Sequence, residues 1–466
     1  MNWLFHATSR PGRTLLWLAG LIVLPQLSGA YSVLTHEQVV DLLWVDRIQP
    51  MVEERFPGLT DSQTREAHGY AYGGSLVQDM GYYPFGSHYF SDLTHYVRTG
   101  DFVVCLIQEA QTANEYAFAL GALAHYAADN TGHPMVNQVV AMEFPALQMK
   151  FGDVVTYADS PKAHIRAEFG LDMTQVAKNR YTSDRFHDFI GFEISQALLE
   201  RVFPKVYGIK FDDVVGDEDL AIGSFRHAVS KIIPEITRVA LLNRRKEIVA
   251  DTPSAAEKKY LYYLSRTNYE KEWGTEYRRP GFGTKLLALA LKLFPKKGPF
   301  SGLDFKVPTR QAEDMFTKSI DDTVQSYQQL LHETEEGSLH LPNRDCDTGK
   351  ETQAGEYILS DVTYAHLLND LSDSGFKQMS PELQENILAY YRDLNAPIAT
   401  RKKAKDWKRV QDELVRLKAA TAVAQATAIG SGNSGTRRSA DIPFRIADGY
   451  ACIIPGRAAE EAGGRR

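Results

Sequence analysis

Asn114-Glu-Tyr-Ala-Phe-Ala-Leu-Gly-Ala-Leu-Ala-His-Tyr-Ala-Ala-Asp129 is apolar on nearly every side, yet it carries His125 and Asp129, and His133 follows four residues on. A run this apolar reads as a helix buried on most faces. Residues four apart share one face of a helix, so His125 and Asp129 point the same way. Polar ligands on such a helix need a partner, because unpaired buried charge is costly. Metal coordination supplies one. About thirty residues later, Ala163-His-Ile-Arg-Ala-Glu168 repeats the arrangement, with His164 and Glu168 also four apart. Imidazole nitrogen and carboxylate oxygen, with no cysteine nearby, form the donor set of a catalytic zinc rather than a structural one. The two pairs, His133 and further His and Asp residues upstream predict a hydrolase that works with zinc.

Outward from that stretch the dominant periodicity is helical. Residues 36–55 bring apolar positions at Val39, Leu42, Leu43, Val45 and Ile48. Helical patterns recur at 183–203, 217–247, 308–335 and 402–426, and alternating strands are scarce. The predicted fold class is mainly α. A catalytic domain is expected over residues 31–250, closed by the interruption at Thr252-Pro-Ser-Ala255 and the tyrosine-rich segment after it. A second helical region of unknown role follows over 251–426. Residues 427–466, opening on Ala428-Ile-Gly-Ser-Gly-Asn-Ser-Gly435, read as a flexible linker and tail.

The 466 residues suffice for a large core, with apolar residues at 44% and charged residues at 24%. A net charge of −7 argues against a protein built on non-specific nucleic-acid binding, although bound zinc ions would add positive charge. Residues 1–30 read as a signal peptide: Arg10 and Arg13, the apolar run Leu15 to Leu24, then Ser28-Gly-Ala30. Cleavage after Ala30 removes two arginines and no acids, taking the charge from −7 to −9, and makes Tyr31 the mature N-terminus. The expected location is secreted or periplasmic. Of three cysteines, Cys105 is expected as a free thiol in a helix, and a Cys346–Cys452 bridge is open. Residues 285–297, apolar with Arg278, Arg279, Lys296 and Lys297 around them, form either a core helix with a basic end or an interfacial helix for peripheral membrane contact.

Tyr31-Ser-Val-Leu-Thr-His36, Asp79, His95, the His125/Asp129/His133 run and His164/Glu168 resemble, in order, the ligand pattern of the bacterial zinc-dependent phospholipase C family. That family is similar to the fungal single-strand-specific zinc nucleases, with which it shares a multi-helix fold and a tri-zinc site. The likeness covers roughly residues 31–215. It implies Asp79, His95, His125 and Asp129 at a first zinc, and His133, His164 and Glu168 at a second. The Tyr31 amine and carbonyl, His36 and a bridging Asp129 would hold a third. Tyr31 departs from the Trp usual there, but its ligand atoms are main-chain. His88 competes with His95 for one place. The sixteen-residue interval from Asp79 favours His95 over His88 at nine.

Clustered zinc lowers the pKa of a bound water from ~15.7 towards ~7 and neutralises phosphoryl charge. Asp79 is the candidate to orient or deprotonate the attacking water. The leading expectation is a phospholipase C that attacks with zinc-bound hydroxide and releases diacylglycerol and a phosphorylated head group. A single-strand nuclease or other phosphodiesterase on the same site is the alternative, because Tyr72, Tyr82, Tyr83 and Phe85 near Asp79 could stack on bases or on choline. A third class is a zinc-stabilised binding module without turnover.

Overall fold

The computed structural model of the chain describes residues 33–178, 192–229, 233 and 305–431. The architecture is mainly α. Among the described residues the strands amount to one antiparallel ladder, β1 (Arg344–Asp345) with β2 (Lys350–Glu351).

α1 (Val33–Leu43) runs through a π turn, Trp44–Ile48, into α2 (Gln49–Arg55). α3 (Asp61–Gly74) is started by a capping box, in which Thr60 and Gln63 each accept the other's backbone N–H. A 3-10 turn, Gln78–Tyr82, leads to α4 (His88–Tyr96), capped by Ser87, and α5 (Thr99–Glu109). The quoted apolar stretch lies in α6 (Ala113–Glu143), a helix of 31 residues whose Thr112 cap accepts from Glu115. Then come α7 (Pro145–Phe151), α8 (Pro161–Ala177), α9 (Gln196–Tyr207), α10 (Phe211–Val215) and α11 (Glu218–His227). Beyond residue 305 lie α12 (Arg310–Glu335), the β-ladder, α13 (Ile358–Asp373), α14 (Pro381–Tyr390) and α15 (Ala404–Ser431).

α6 is the axis of the molecule, as its all-round apolarity predicts. Ala117 through Ala128 are buried without interruption. α3 lies against it so closely that backbones touch. A Cβ on Gly121 would meet the Ala71 carbonyl oxygen at 2.1 Å, and one on Gly74 would meet that of Phe118 at 1.9 Å. Only residues without side chains fit there. α12 covers another side of α6, where Tyr327 donates to the Leu120 carbonyl at 2.8 Å and Thr323 meets Thr131. Buried apolar side chains from Phe305 to Leu417, among them Phe316, Tyr327, Leu368 and Leu383, belong to the same apolar cluster as those of α1–α11.

The domain boundary expected near 250, the apolar segment 285–297 and the leader 1–30 lie outside the described residues. α15 reaches Ser431, within the stretch that opens Ala428–Gly435. The cysteine expectation is corrected. Cys105 is disulfide-bonded, and Cys346 is the free, buried thiol. Spacing in sequence could not reveal which cysteines meet, because pairing needs side chains brought to bonding distance by the fold.

Candidate metal centre

Five elements bring the histidines and carboxylates together: α1, the 3-10 turn Gln78–Tyr82, α4, α6 and α8. α6 contributes His125, Asp129 and His133, one turn apart on its inward face, and each is no more than 2% exposed. α8 contributes His164 and Glu168, the 3-10 turn Asp79, α4 His95 and α1 His36. α1 is held in place by a residue that its own sequence does not reveal. Asp172, on α8, accepts from the Leu34 N–H at 3.2 Å and from the Thr35 hydroxyl at 2.5 Å, at the first turn of the helix that carries His36.

The potential ligands form three groups, the first two sharing His125: Asp79, His95 and His125; His36, His125 and Asp129; and His133, His164 and Glu168. His95 Nε2 lies 3.4 Å from Asp79 Oδ1 and 3.3 Å from Asp129 Oδ2. Asp129 also faces His125 Nε2 at 3.0 Å and His36 Nε2 at 3.6 Å, a central place suited to bridging. His164 Nε2 is 2.8 Å from Glu168 Oε1 and 3.0 Å from His133 Nδ1. His88 stands apart, exposed at the start of α4. Tyr31 lies outside the described residues.

The tautomers of two histidines are set. His125 Nδ1 donates to the Ser75 carbonyl and His95 Nδ1 to the Ser91 carbonyl, each at 2.8 Å. Both Nε2 atoms are thereby left as bare acceptors, and they face each other at 3.3 Å. Asp79 Oδ1, both oxygens of Asp129 and Glu168 Oε1 are buried with no aligned hydrogen bond. Nitrogens and oxygens at these separations that do not bond to one another are spaced like ligands around a common ion. Donors about 2.0–2.1 Å from a tetrahedral zinc lie roughly 3.3 Å apart. The residues fit zinc.

Electrostatics point the same way. Burial pushes the Glu168 carboxyl well above its usual range, and neighbouring Asp79 and Asp129 push it further. Burial alone would keep His95 neutral, but Asp129 and Asp79 beside it raise its pKa well above the ordinary value. His133 and His164 are pushed down to about 3, chiefly by burial. Buried carboxylates crowded together, with His95 drawn towards its protonated form and His133 and His164 kept neutral, call for a cation, and a bound cation removes the reason to take up protons.

Residues 35–209 match the model of the family described as zinc dependent phospholipase C. This helical segment is similar to the zinc-dependent phospholipase C family. No curated protein and no solved structure matches the chain. The phospholipase C match contains every described residue of the three ligand groups, from His36 to Glu168. Two contributors to the centre were missed from sequence. Asp172 anchors α1 from within the match, and Asp347 lies far outside it, 3.4 Å from His133 Nε2. Neither stands at helical ligand spacing from a histidine. The one trace of Asp347 in sequence is the turn-forming run Asp345-Cys-Asp-Thr-Gly349.

Proposed function

We propose that the chain is an exported phospholipase C that cleaves a phospholipid between glycerol and phosphate, giving diacylglycerol and a phosphorylated head group. The observation that carries this reading is the three contiguous, buried His/carboxylate groups inside a zinc-dependent phospholipase C match. Zinc, when bound there, supplies Lewis-acid stabilisation of phosphoryl charge and a water acidified towards neutral pH. Three ions are proposed, one for each group, with the Tyr31 amine completing the group of His36.

The side chains have separate tasks. His95 and His125 are held by backbone carbonyls, so their geometry needs little rearrangement on metal binding. Asp79 sits on a short 3-10 turn at the edge of its group, and it is proposed to orient the attacking water and accept its proton. Tyr82 packs against His95 at 5.9 Å and Tyr157 at 6.4 Å between ring centres, an aromatic wall beside the phosphate position. Phe85, 62% exposed, follows two residues after Tyr83. This exposed phenyl ring, six residues after Asp79 in sequence, is proposed to meet the lipid surface. A disulfide at Cys105 supports an oxidising compartment, and with the leader it supports export with cleavage after Ala30.

The test is head-group release from mixed phospholipid vesicles by the mature chain that begins at Tyr31, with chelator and then zinc added back. Release that stops with chelator and returns with zinc is expected, with diacylglycerol as the lipid product. Asp79→Asn should lower turnover by about a hundred- to ten-thousandfold while most zinc stays bound. Cleavage of single-stranded nucleic acid without lipid turnover would replace the phospholipase reading with the nuclease one.

A further inference from the structure

Every histidine of the three groups precedes residue 169, yet a carboxylate from far down the chain reaches them. Asp347 lies in the turn between β1 and β2 and is 2% exposed. Its Oδ2 accepts from the Tyr96 hydroxyl at 2.9 Å and from the Tyr357 hydroxyl. Two donors on one oxygen fix the carboxylate plane and present the other oxygen, Oδ1, to His133 Nε2 at 3.4 Å. That nitrogen is buried and has no aligned hydrogen-bond partner at this ring setting. Asp129 Oδ2 is farther from it, at 3.7 Å, and already faces His95 and His125.

The hairpin is built into the centre rather than resting on it. Pro134 lacks an N–H, which leaves the Asn130 carbonyl of α6 without its helical donor. Gly349, at φ +69°, packs against that carbonyl where a Cβ would come to 2.6 Å. The Cys346 N–H donates to the His95 carbonyl at 3.1 Å, and Asn137 Nδ2 to the Asp347 carbonyl at 2.8 Å. Asp345 closes the turn by accepting from the Asp347 N–H at 3.0 Å and the Ser360 hydroxyl at 2.9 Å. The backbone around Asp347 is therefore tied to the helix that carries His133 and to the one that carries His95.

We infer that Asp347 is a positioning residue of the zinc centre. Its Oδ1 takes the Nε2–H of His133, so that Nδ1, which faces His164 Nε2, is the nitrogen given to the zinc shared with Glu168. The inference rests on the reading of His133, His164 and Glu168 as a zinc group. A carboxylate on the far nitrogen fixes the tautomer and ring direction of a ligating histidine and makes it a more basic ligand. It also makes the chain beyond residue 305 part of the centre, although the family match ends at 209.

The experiment measures zinc per chain, zinc affinity by chelator competition, the absorption spectrum of the cobalt-substituted chain, and unfolding of the metal-free chain. Asp347→Asn and Tyr357→Phe are compared with wild type. Asp347→Asn is expected to weaken one zinc by about ten- to a hundredfold and to change the cobalt spectrum, with metal-free unfolding unchanged. Tyr357→Phe should shift the same affinity in the same direction by less. Unchanged affinity and spectrum in Asp347→Asn overturn the inference. So does an affinity loss matched by equal metal-free destabilisation with no spectral change. If Asp347→Asn does not fold, unchanged zinc affinity in Tyr357→Phe overturns it instead. Full zinc content in His164→Gln would sink the underlying zinc-group reading and not this inference alone.

Discussion

His164 is the residue whose protonation most directly reports how the centre is built. Burial, with His133 beside it, takes its pKa to about 3, against 6.5 for an ordinary histidine. Below about pH 6.5 the unfolded chain binds a proton there and the folded, metal-free chain does not. The unfolded state then holds more protons, so stability increases with pH across that window and is lost as pH falls. One such group contributes about 1.4 kcal/mol per pH unit inside the window. His164→Gln is expected to flatten the stability profile of the metal-free protein by one proton between about pH 6 and about pH 4. Denaturant titrations at several pH values read this directly. An unaltered slope would mean that His164 already takes up its proton in the folded chain.

At the scale of elements, the contact between α3 and α6 sets the site. Ser75, which follows α3, gives its carbonyl to His125 on α6, so any widening of that contact moves a ligand. Gly121→Ala would drive a methyl group into the Ala71 carbonyl and the Ser75 amide, at 2.1 and 2.9 Å. Both are backbone atoms that cannot rotate away. The expected cost is about 1–3 kcal/mol of stability, measurable by thermal or urea unfolding, together with weaker zinc retention. A variant as stable as wild type and fully zinc-loaded would show that the two helices slide apart without disturbing His125. The helices themselves were legible in sequence. Apolar periodicity marked α6 and α12, and ligands four residues apart marked the α6 and α8 faces, because both signals lie within a single turn or two of helix.

Across the whole molecule, residues beyond 305 serve as more than an appendage. α12 covers α6 through Tyr327 and Thr323, and the β-ladder brings Asp347 to His133. A chain ending at residue 304 would expose the apolar flank of α6 and lose that carboxylate. It is expected to be poorly soluble or to retain less zinc than the full chain, as read by size-exclusion and metal analysis. A soluble, monomeric, fully loaded fragment would show that the first part folds and binds its metals alone.

The sequence by itself determined the helical class and the paired His/carboxylate donors of α6 and α8, whereas His36, Asp79 and His95 were named by the resemblance to the phospholipase C family and not by spacing. Helical spacing and ligand chemistry are local, and they survive being read along a line. It could separate His95 from His88 only by counting residues, whereas burial and a 3.4 Å approach to Asp79 distinguish them in the fold. Tertiary structure alone decided that Asp172 anchors α1, that Cys105 rather than Cys346 is bonded, and that Asp347 stands beside His133. Each of these depends on side chains that packing brings together across long stretches of chain. No periodicity or spacing records such a meeting, because it is set by how helices stack on α6 and not by what lies next to what in sequence.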